Sequence, residues 1–130
     1  MKALVHAALW LCLSLGAQAA TTASAREDQV QIHGTAAGTQ RVQVLGPGKA
    51  QAEYSFNDRG RGDHITARGA LDAQGLPISY EAEGNDYWKV PLTERFELSN
   101  GRAVWKNRVE SGEAAWPASG AFYLPANAPP

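Results

Sequence analysis

Hydrophobic and polar residues alternate with a period of two over much of the chain. The alternation is clearest in residues 49–56, where Ala50, Ala52, Tyr54 and Phe56 share one face and polar residues fill the positions between them. It recurs in residues 30–32, 39–45, 64–71 and 78–84. A period of two is typical of strands with one buried face. The pattern predicts an all-β single domain, a curved antiparallel meander of about seven strands that forms a half-barrel or an open sheet.

Turn-forming residues separate these runs. Residues 46–48, 57–63 and 72–75 are glycine-bearing breaks. Asn100-Gly101 is the pair favoured by a two-residue type I′ hairpin. In that hairpin Phe96 would pair with Trp105, which places two aromatic side chains opposite each other and helps to set the register.

The beginning of the chain has the features of a secretory signal peptide. Lys2 precedes an apolar run over residues 3–16, and residues 17–19 (Ala-Gln-Ala) suit signal peptidase. We therefore expect residues 1–19 to be a signal peptide, the protein to be periplasmic or secreted, and the mature chain to lack a membrane span. Cys12, the single cysteine, would be lost with the leader, so the mature chain would be free of disulfides.

Composition divides the remainder into three parts. Residues 20–28 are small and polar and predict a flexible lead-in, residues 29–125 form the β domain, and residues 126–130 resemble a linker-like tail. Prolines in residues 111–130 favour a loop there, with residues 121–124 as one further candidate strand.

The charge balance narrows the classes of function. The chain has 12 basic and 13 acidic residues, with a formal net charge of −1. Nucleic-acid binders usually carry a basic excess, so we expect no nucleic-acid partner. The hydrophobic share of 44% is too high for a wholly disordered chain.

Motifs that would carry catalysis are weak. His33 and His64 are the histidines beyond the leader, and neither H-x-H nor H-E-x-x-H occurs, so we expect no metal and no cofactor. No serine lies in G-x-S-x-G. Glu81 and Glu83 lie on one strand face and are interpreted as solvated residues rather than a glycosidase pair. We therefore predict no catalytic residue, and the chain is not expected to be an enzyme by itself.

Two stretches have binding character. The loop over residues 57–63 carries Asn57, Asp58, Arg59 and Arg61, and its guanidinium and backbone N–H groups suit a carboxylate or phosphate. A tight loop in which Asp58 and Arg59 satisfy each other is the alternative. Tyr87 and Trp88 follow a polar turn and form a candidate aromatic surface, whereas such aromatics are more often core or interface residues.

Seven residue strings then carry a resemblance. They are 54–62 (YSFNDRGRG), 71–77 (LDAQGLP), 84–87 (GNDY), 94–97 (ERFE), 103–107 (AVWKN), 122–125 (FYLP) and 127–130 (NAPP). In this order they resemble the β-rich front segment of exported bacterial proteins of the metal-dependent amidohydrolase family. The resemblance covers about Gly34 to Pro130. It implies that a (β/α)₈ barrel holding the metals and hydrolysing C–N bonds follows this segment.

The resemblance implies a non-catalytic β domain that packs against or positions a catalytic barrel, in the intact protein or in trans. The barrel with its H-x-H pair would begin at about Pro130, so no catalytic residue is carried over. The family loop usually continues Arg-Gly-Pro, whereas Asp63 stands in the proline position here.

Two other functions stay open. A stand-alone periplasmic binding protein for a hydrophobic or peptide-like ligand would need a closed fold with a lined cavity. A small hydrolase would need polar groups converging near Asp58, His64 and Asp86.

Overall fold

The computed structural model describes residues 24–116 and 123–130. Those residues form eight strands in one antiparallel sheet, ordered as they occur in the chain and not closed into a barrel. The strands are β1 (Ala25–Ile32), β2 (Thr35–Gly46), β3 (Lys49–Phe56), β4 (His64–Leu71), β5 (Pro77–Asn85), β6 (Pro91–Ser99), β7 (Arg102–Lys106) and β8 (Ser111–Ala115). The predicted all-β open meander is therefore confirmed. Within these ranges no helix is long and apolar enough to cross a bilayer.

The two faces of the sheet differ sharply in polarity. Cross-strand registers place the buried hydrophobic residues in phase on one side, which we call the apolar face: Ile65, Ala67, Ala82, Leu92, Phe96 and Ala103. Residues such as Arg68, Glu81 and Arg95 alternate with them on the opposite, polar face. The buried hydrophobic set is small, and alanines make up half of it. The sheet therefore has a thin core for its area.

The β6–β7 hairpin has the predicted register. Phe96 pairs with Trp105, Leu98 with Ala103 and Ser99 with Arg102. Asn100 and Gly101 both have positive φ, at 50° and 71°, as a type I′ turn requires. Phe96 is 1% exposed and forms the centre of this part of the core.

Both ends of the sheet extend further than predicted. Residues 25–28, expected within a flexible lead-in, belong to β1 because the long strand β2 continues far enough to pair with Ala25 at Gln43. Residues 111–115, expected as a loop, form β8 against β7. Gly112 lies opposite Trp105, and a Cβ there would come within 2.4 Å of the indole Cζ2, so glycine lets the indole lie over this strand. Residues 1–19 lie outside the described residues, so the predicted signal peptide stays a prediction.

The prediction that residues 126–130 form a linker-like tail is also wrong. The described part, 123–130, contains no strand, so residues 123 and 124 do not extend the sheet, and residues 121 and 122 lie outside the description. The tail folds back onto the apolar face instead of leading away from it. Ala126 and Asn127 bond to the buried Glu94, and Gln40 on β2 donates to the Pro130 carbonyl. The tail therefore runs across the sheet from β6 towards β2.

Candidate functional site

Three loops meet at one end of the sheet, which we call the loop end. They connect β3 to β4 (residues 57–63), β5 to β6 (residues 86–90) and β7 to β8 (residues 107–110). Consecutive strands of a meander alternate in direction. The connections that follow odd-numbered strands therefore lie at the same end of the sheet. Both stretches with predicted binding character therefore lie at this end.

The β3–β4 loop is closed by its own hydrogen bonds. Asp58 and Arg61 exchange backbone hydrogen bonds of 2.6 and 3.0 Å around a two-residue turn of Arg59 and Gly60, both with positive φ. The Asn57 side chain accepts a 2.8 Å hydrogen bond from the Gly60 N–H. At Gly62 a Cβ would lie 2.1 Å from the Phe56 carbonyl oxygen, so the chain can return to β4 only with glycine here.

The β5–β6 loop is organised by Asp86. Its Oδ1 accepts hydrogen bonds from the N–H groups of Trp88 (2.9 Å) and Val90 (3.0 Å). Its Oδ2 accepts one from the Arg108 guanidinium at 3.0 Å. The Arg108 bond, followed by the backbone N–H groups, lowers the pKa of Asp86 below its ordinary value. This arrangement positions Tyr87 and Trp88 against the neighbouring loop.

The two loops form one cluster, composed of Asp58, Arg61, Tyr87 and Trp88, which we call the arginine–aromatic cluster. The Arg61 guanidinium carbon lies 5.3 Å from the Tyr87 ring centroid and 4.9 Å from that of Trp88, within cation–π range. The Tyr87 hydroxyl donates a 2.8 Å hydrogen bond to Asp58. The Gly62 N–H donates to the Tyr87 carbonyl at 3.1 Å, which joins the loops through the backbone as well.

The charged residues of this cluster differ in whether they form an ion pair. Arg59 and Asp58 form an ion pair at 3.0 Å, and this bond is the main cause that lowers the pKa of Asp58. The bond to Asp58 in turn raises the pKa of the Tyr87 hydroxyl. None of the six ion pairs among the described residues includes Arg61. Trp88 is 66% exposed. The cluster thus offers a stacked guanidinium beside an exposed indole.

The predicted site residues have different positions in this arrangement. Asn57 supports the turn, and Arg59 extends into solvent with its side chain 82% exposed. Arg61, Tyr87 and Trp88, predicted as parts of two separate sites, contact one another. Binding of an anion by this loop stays a prediction.

Among the described residues, the side chains that a metal-dependent or acid–base hydrolysis would need are not brought together. The described residues contain no group of three or more His, Cys, Asp or Glu side chains that could hold a metal ion. Asp58 and Asp86 are engaged by Arg59 and Arg108. Glu81 lies 3.5 Å from Arg95 on the polar face, in a shallow groove that is open to solvent.

Glu94 is a buried, hydrogen-bonded carboxylate that the sequence pattern did not single out. It lies on β6 in phase with the buried Leu92 and Phe96, and it is only 3% exposed. Its carboxylate accepts hydrogen bonds from the Tyr123 hydroxyl, the Ala126 N–H (2.9 Å), the Asn127 N–H (2.9 Å) and the Asn127 side-chain amide (2.8 Å). A charged residue at a core position of an alternating strand was the signal that could have identified it.

Aromatic packing surrounds this carboxylate. The rings of Phe96 and Tyr123 stack with centroids 4.1 Å apart and planes 6° from parallel. The Tyr80 hydroxyl donates to the Asn127 carbonyl at 3.0 Å. Burial, followed by the nearby Glu94 charge, raises the pKa of Tyr80 to about 12, and burial followed by the Glu94 bond raises the pKa of Tyr123. Both hydroxyls therefore remain protonated donors at neutral pH.

Comparison with known proteins finds no matching family model, no matching curated protein and no matching solved structure. The resemblance to the amidohydrolase front segment therefore rests on the residue strings alone.

Proposed function

We propose that this chain is a non-catalytic β module that docks onto a partner protein through its loop end. The partner expected from the resemblance is a catalytic amidohydrolase barrel, in the same polypeptide or in trans. In this role the module would position the barrel and contribute no reacting group.

The arginine–aromatic cluster carries the proposal. Trp88 is 66% exposed, and the Arg61 guanidinium carbon lies 4.9 Å from its ring centroid. Tryptophan, tyrosine and arginine are the residues most enriched among those that dominate binding energy at protein interfaces. Hydrogen bonds from two loops hold this set in place before any partner binds, which reduces the entropy cost of association.

The thin core argues for a partner independently of the loop end, because it leaves apolar side chains uncovered at the far end of the sheet. Val44 and Leu71 lie towards the far end of β2 and β4 and are 44% and 46% exposed. A single sheet normally buries its apolar face under a second layer. In the described residues the tail is the segment that crosses this face, and its bonds to the sheet involve β6, β5 and β2.

The stand-alone binding protein is less well supported. That function predicts a closed fold with a lined cavity, whereas the sheet is open. One observation still favours a peptide-like ligand, because a segment of irregular chain already lies on the apolar face.

A co-purification experiment tests the docking proposal. The DNA downstream of the Pro130 codon is read first, and any H-x-H barrel encoded there is co-expressed with this chain as a separate polypeptide. We expect the two to co-purify, and we expect Trp88→Ala and Arg61→Gln each to weaken binding at least tenfold, the range of an interface hot spot.

Matched controls separate docking from folding. Arg26→Gln removes an exposed arginine at the opposite edge of the sheet, and Val104→Ala trims an exposed side chain of the polar face; both should bind like the wild type. Circular dichroism verifies that all variants fold. A barrel that does not bind, or binding unaffected by both loop-end variants, would overturn the proposal. Unrelated downstream DNA would overturn a barrel in the same polypeptide.

A further inference from the structure

The contact between the tail (residues 123–130) and the apolar face has the chemistry of peptide recognition. Each oxygen of the Glu94 carboxylate accepts two hydrogen bonds, Oε1 from Tyr123 and Ala126, and Oε2 twice from Asn127. An ionised carboxylate has about four acceptor sites. One short segment therefore satisfies the whole acceptor capacity of a buried charge.

The tail lies there without joining the sheet. It contains Pro125, Pro129 and Pro130, which have no N–H to donate, and no part of it pairs as a strand. Its bonds to the sheet instead go to three side chains, those of Glu94, Tyr80 and Gln40. Docking of a proline-containing segment in a groove, without strand pairing, is one established mode of peptide recognition.

The apolar face beside Glu94 has room for such a segment. The cross-strand row that contains Glu94 continues through Ala82, Ala67 and Ala52. The tail bonds to β6 and β5 at one end and to β2 at the other, so it must pass over the strands between them. Methyl side chains in that row leave room for a crossing chain, whereas larger residues would close the space.

Glu94 itself is poorly explained by stability of the sheet alone. A buried charge is costly, and a hydrophobic residue in phase with Leu92 and Phe96 would fill the core without that cost. What the carboxylate adds is selectivity for a segment that presents two consecutive N–H groups and an asparagine amide.

We propose that the apolar face around Glu94 is a peptide-binding site whose resident ligand is the segment 123–130, and that it binds the same segment when a second copy of the chain supplies it. The exchanged segment makes the same bonds in either case, so a swapped pair of chains preserves the hydrogen bonds of residues 123–130 to Glu94, Tyr80 and Gln40.

The first test supplies the segment as a synthetic peptide of the sequence YLPANAPP. The receptor is the full chain carrying Tyr123→Ala and Asn127→Ala, which weaken its own tail and leave Glu94 intact. We expect saturable binding in calorimetry. A peptide with alanine in place of the asparagine should bind at least tenfold more weakly, since it loses an amide bond to the carboxylate.

The receptor variants identify the site. Glu94→Gln, added to the same receptor, should weaken binding at least tenfold because its amide turns one acceptor oxygen into a donor. Glu97→Gln on the polar face of the same strand is the matched control and should leave binding unchanged. Absence of binding to the folded receptor, or equal binding to the Glu94→Gln receptor, would overturn the proposal.

A second measurement does not depend on the tail variant being folded. Wild-type chains with and without an affinity tag are mixed at high concentration, and tagged chains are recovered. We expect untagged chains to be recovered with them, and we expect excess free YLPANAPP peptide or Glu94→Gln to abolish that recovery. Recovery that is insensitive to both, or no recovery of untagged chains, would contradict exchange of the segment.

Discussion

The loop end and the tail crossing are both organised by a carboxylate that gathers N–H groups, yet the two regions differ in what the carboxylate holds together. Asp86 bonds to Trp88 and Val90, two and four residues further on, and remains partly exposed. Glu94 is buried and bonds to residues 29–33 positions away. The first shapes a loop locally, whereas the second joins a distant segment to the core.

This difference predicts where substitutions will affect global stability. Loss of a loop bond frees a few residues that water can solvate at once. Loss of the Glu94 bonds leaves half-buried donors of Tyr123 and Asn127 without partners and uncovers the ring of Phe96. The loop end should therefore tolerate changes that the tail crossing does not.

The largest effect is expected from the aromatic side chains of the two regions. Phe96→Ala should lower the free energy of unfolding by about 3–5 kcal/mol, because it removes a fully buried ring and its stack with Tyr123. Trp88→Ala at the exposed loop end should cost less than about 1 kcal/mol. Urea unfolding measures both. Equal losses of unfolding free energy in the two variants would contradict the expected difference in stability between the two regions.

The carboxylates give the next contrast. Glu94→Ala should lower the free energy of unfolding by about 2–3 kcal/mol, since four donors lose a charged acceptor. Glu97→Ala on the polar face should change it by about 0.5 kcal/mol or less. Hydrogen exchange at Ala126 and Asn127 should rise in the first variant alone. Unchanged exchange there would show that the tail is held by other contacts.

Lowering the pH should weaken the interactions of Asp58 and Asp86 that stabilise the loop end. The pKa values of Asp58 and Asp86 are lowered in the folded chain, chiefly by Arg59 and Arg108. Their stabilising contribution is therefore present above the ordinary aspartate pKa of about 3.9 and is lost as the pH falls through the lowered values. The indole N–H resonance of Trp88 should shift in that range. Asp86→Asn with Asp58→Asn should remove the shift, and its persistence in the double variant would refute this origin.

The smallest effect concerns Asp63, which stands where the resemblance predicts a proline. Burial, followed by the neighbouring Asp86 charge, raises its pKa. A raised carboxyl pKa in the folded chain means that ionisation disfavours folding above the ordinary pKa and that this penalty vanishes at lower pH. Asp63→Asn should therefore raise the free energy of unfolding near pH 7 by about 0.5 kcal/mol or less. A loss of stability on urea unfolding at that pH would contradict this sign.

The sequence predicted the elements whose determinants are local. The Asn100-Gly101 turn and the alternation around Phe96 and Trp105 lie within ten residues of one another, and their register is confirmed. The beginning of β1 (residues 25–28) and the whole of β8 were missed because their own residues have weak strand preference. Pairing with β2 and β7 is what places them in the sheet.

Prediction of the candidate site was limited in the same way by the sequence separation of its residues. Arg61 and Trp88 were each singled out, but not their contact, although a meander that places both loops after odd-numbered strands already implies a shared end. The tail was predicted as a linker because its role depends on Glu94, some thirty residues earlier, and on the alanines beside that residue.

The order of the strands also has a kinetic consequence. Each strand pairs with its neighbour in sequence, so the sheet can form hairpin by hairpin with little loop-closure cost. The tail must close a far longer loop and has a surface to bind only after β5 and β6 are in place. We therefore expect it to dock after the rate-limiting step, so that Glu94→Ala accelerates unfolding and leaves the refolding rate nearly unchanged in stopped-flow measurements. The tail would then set the lifetime of the folded chain rather than the speed with which it forms.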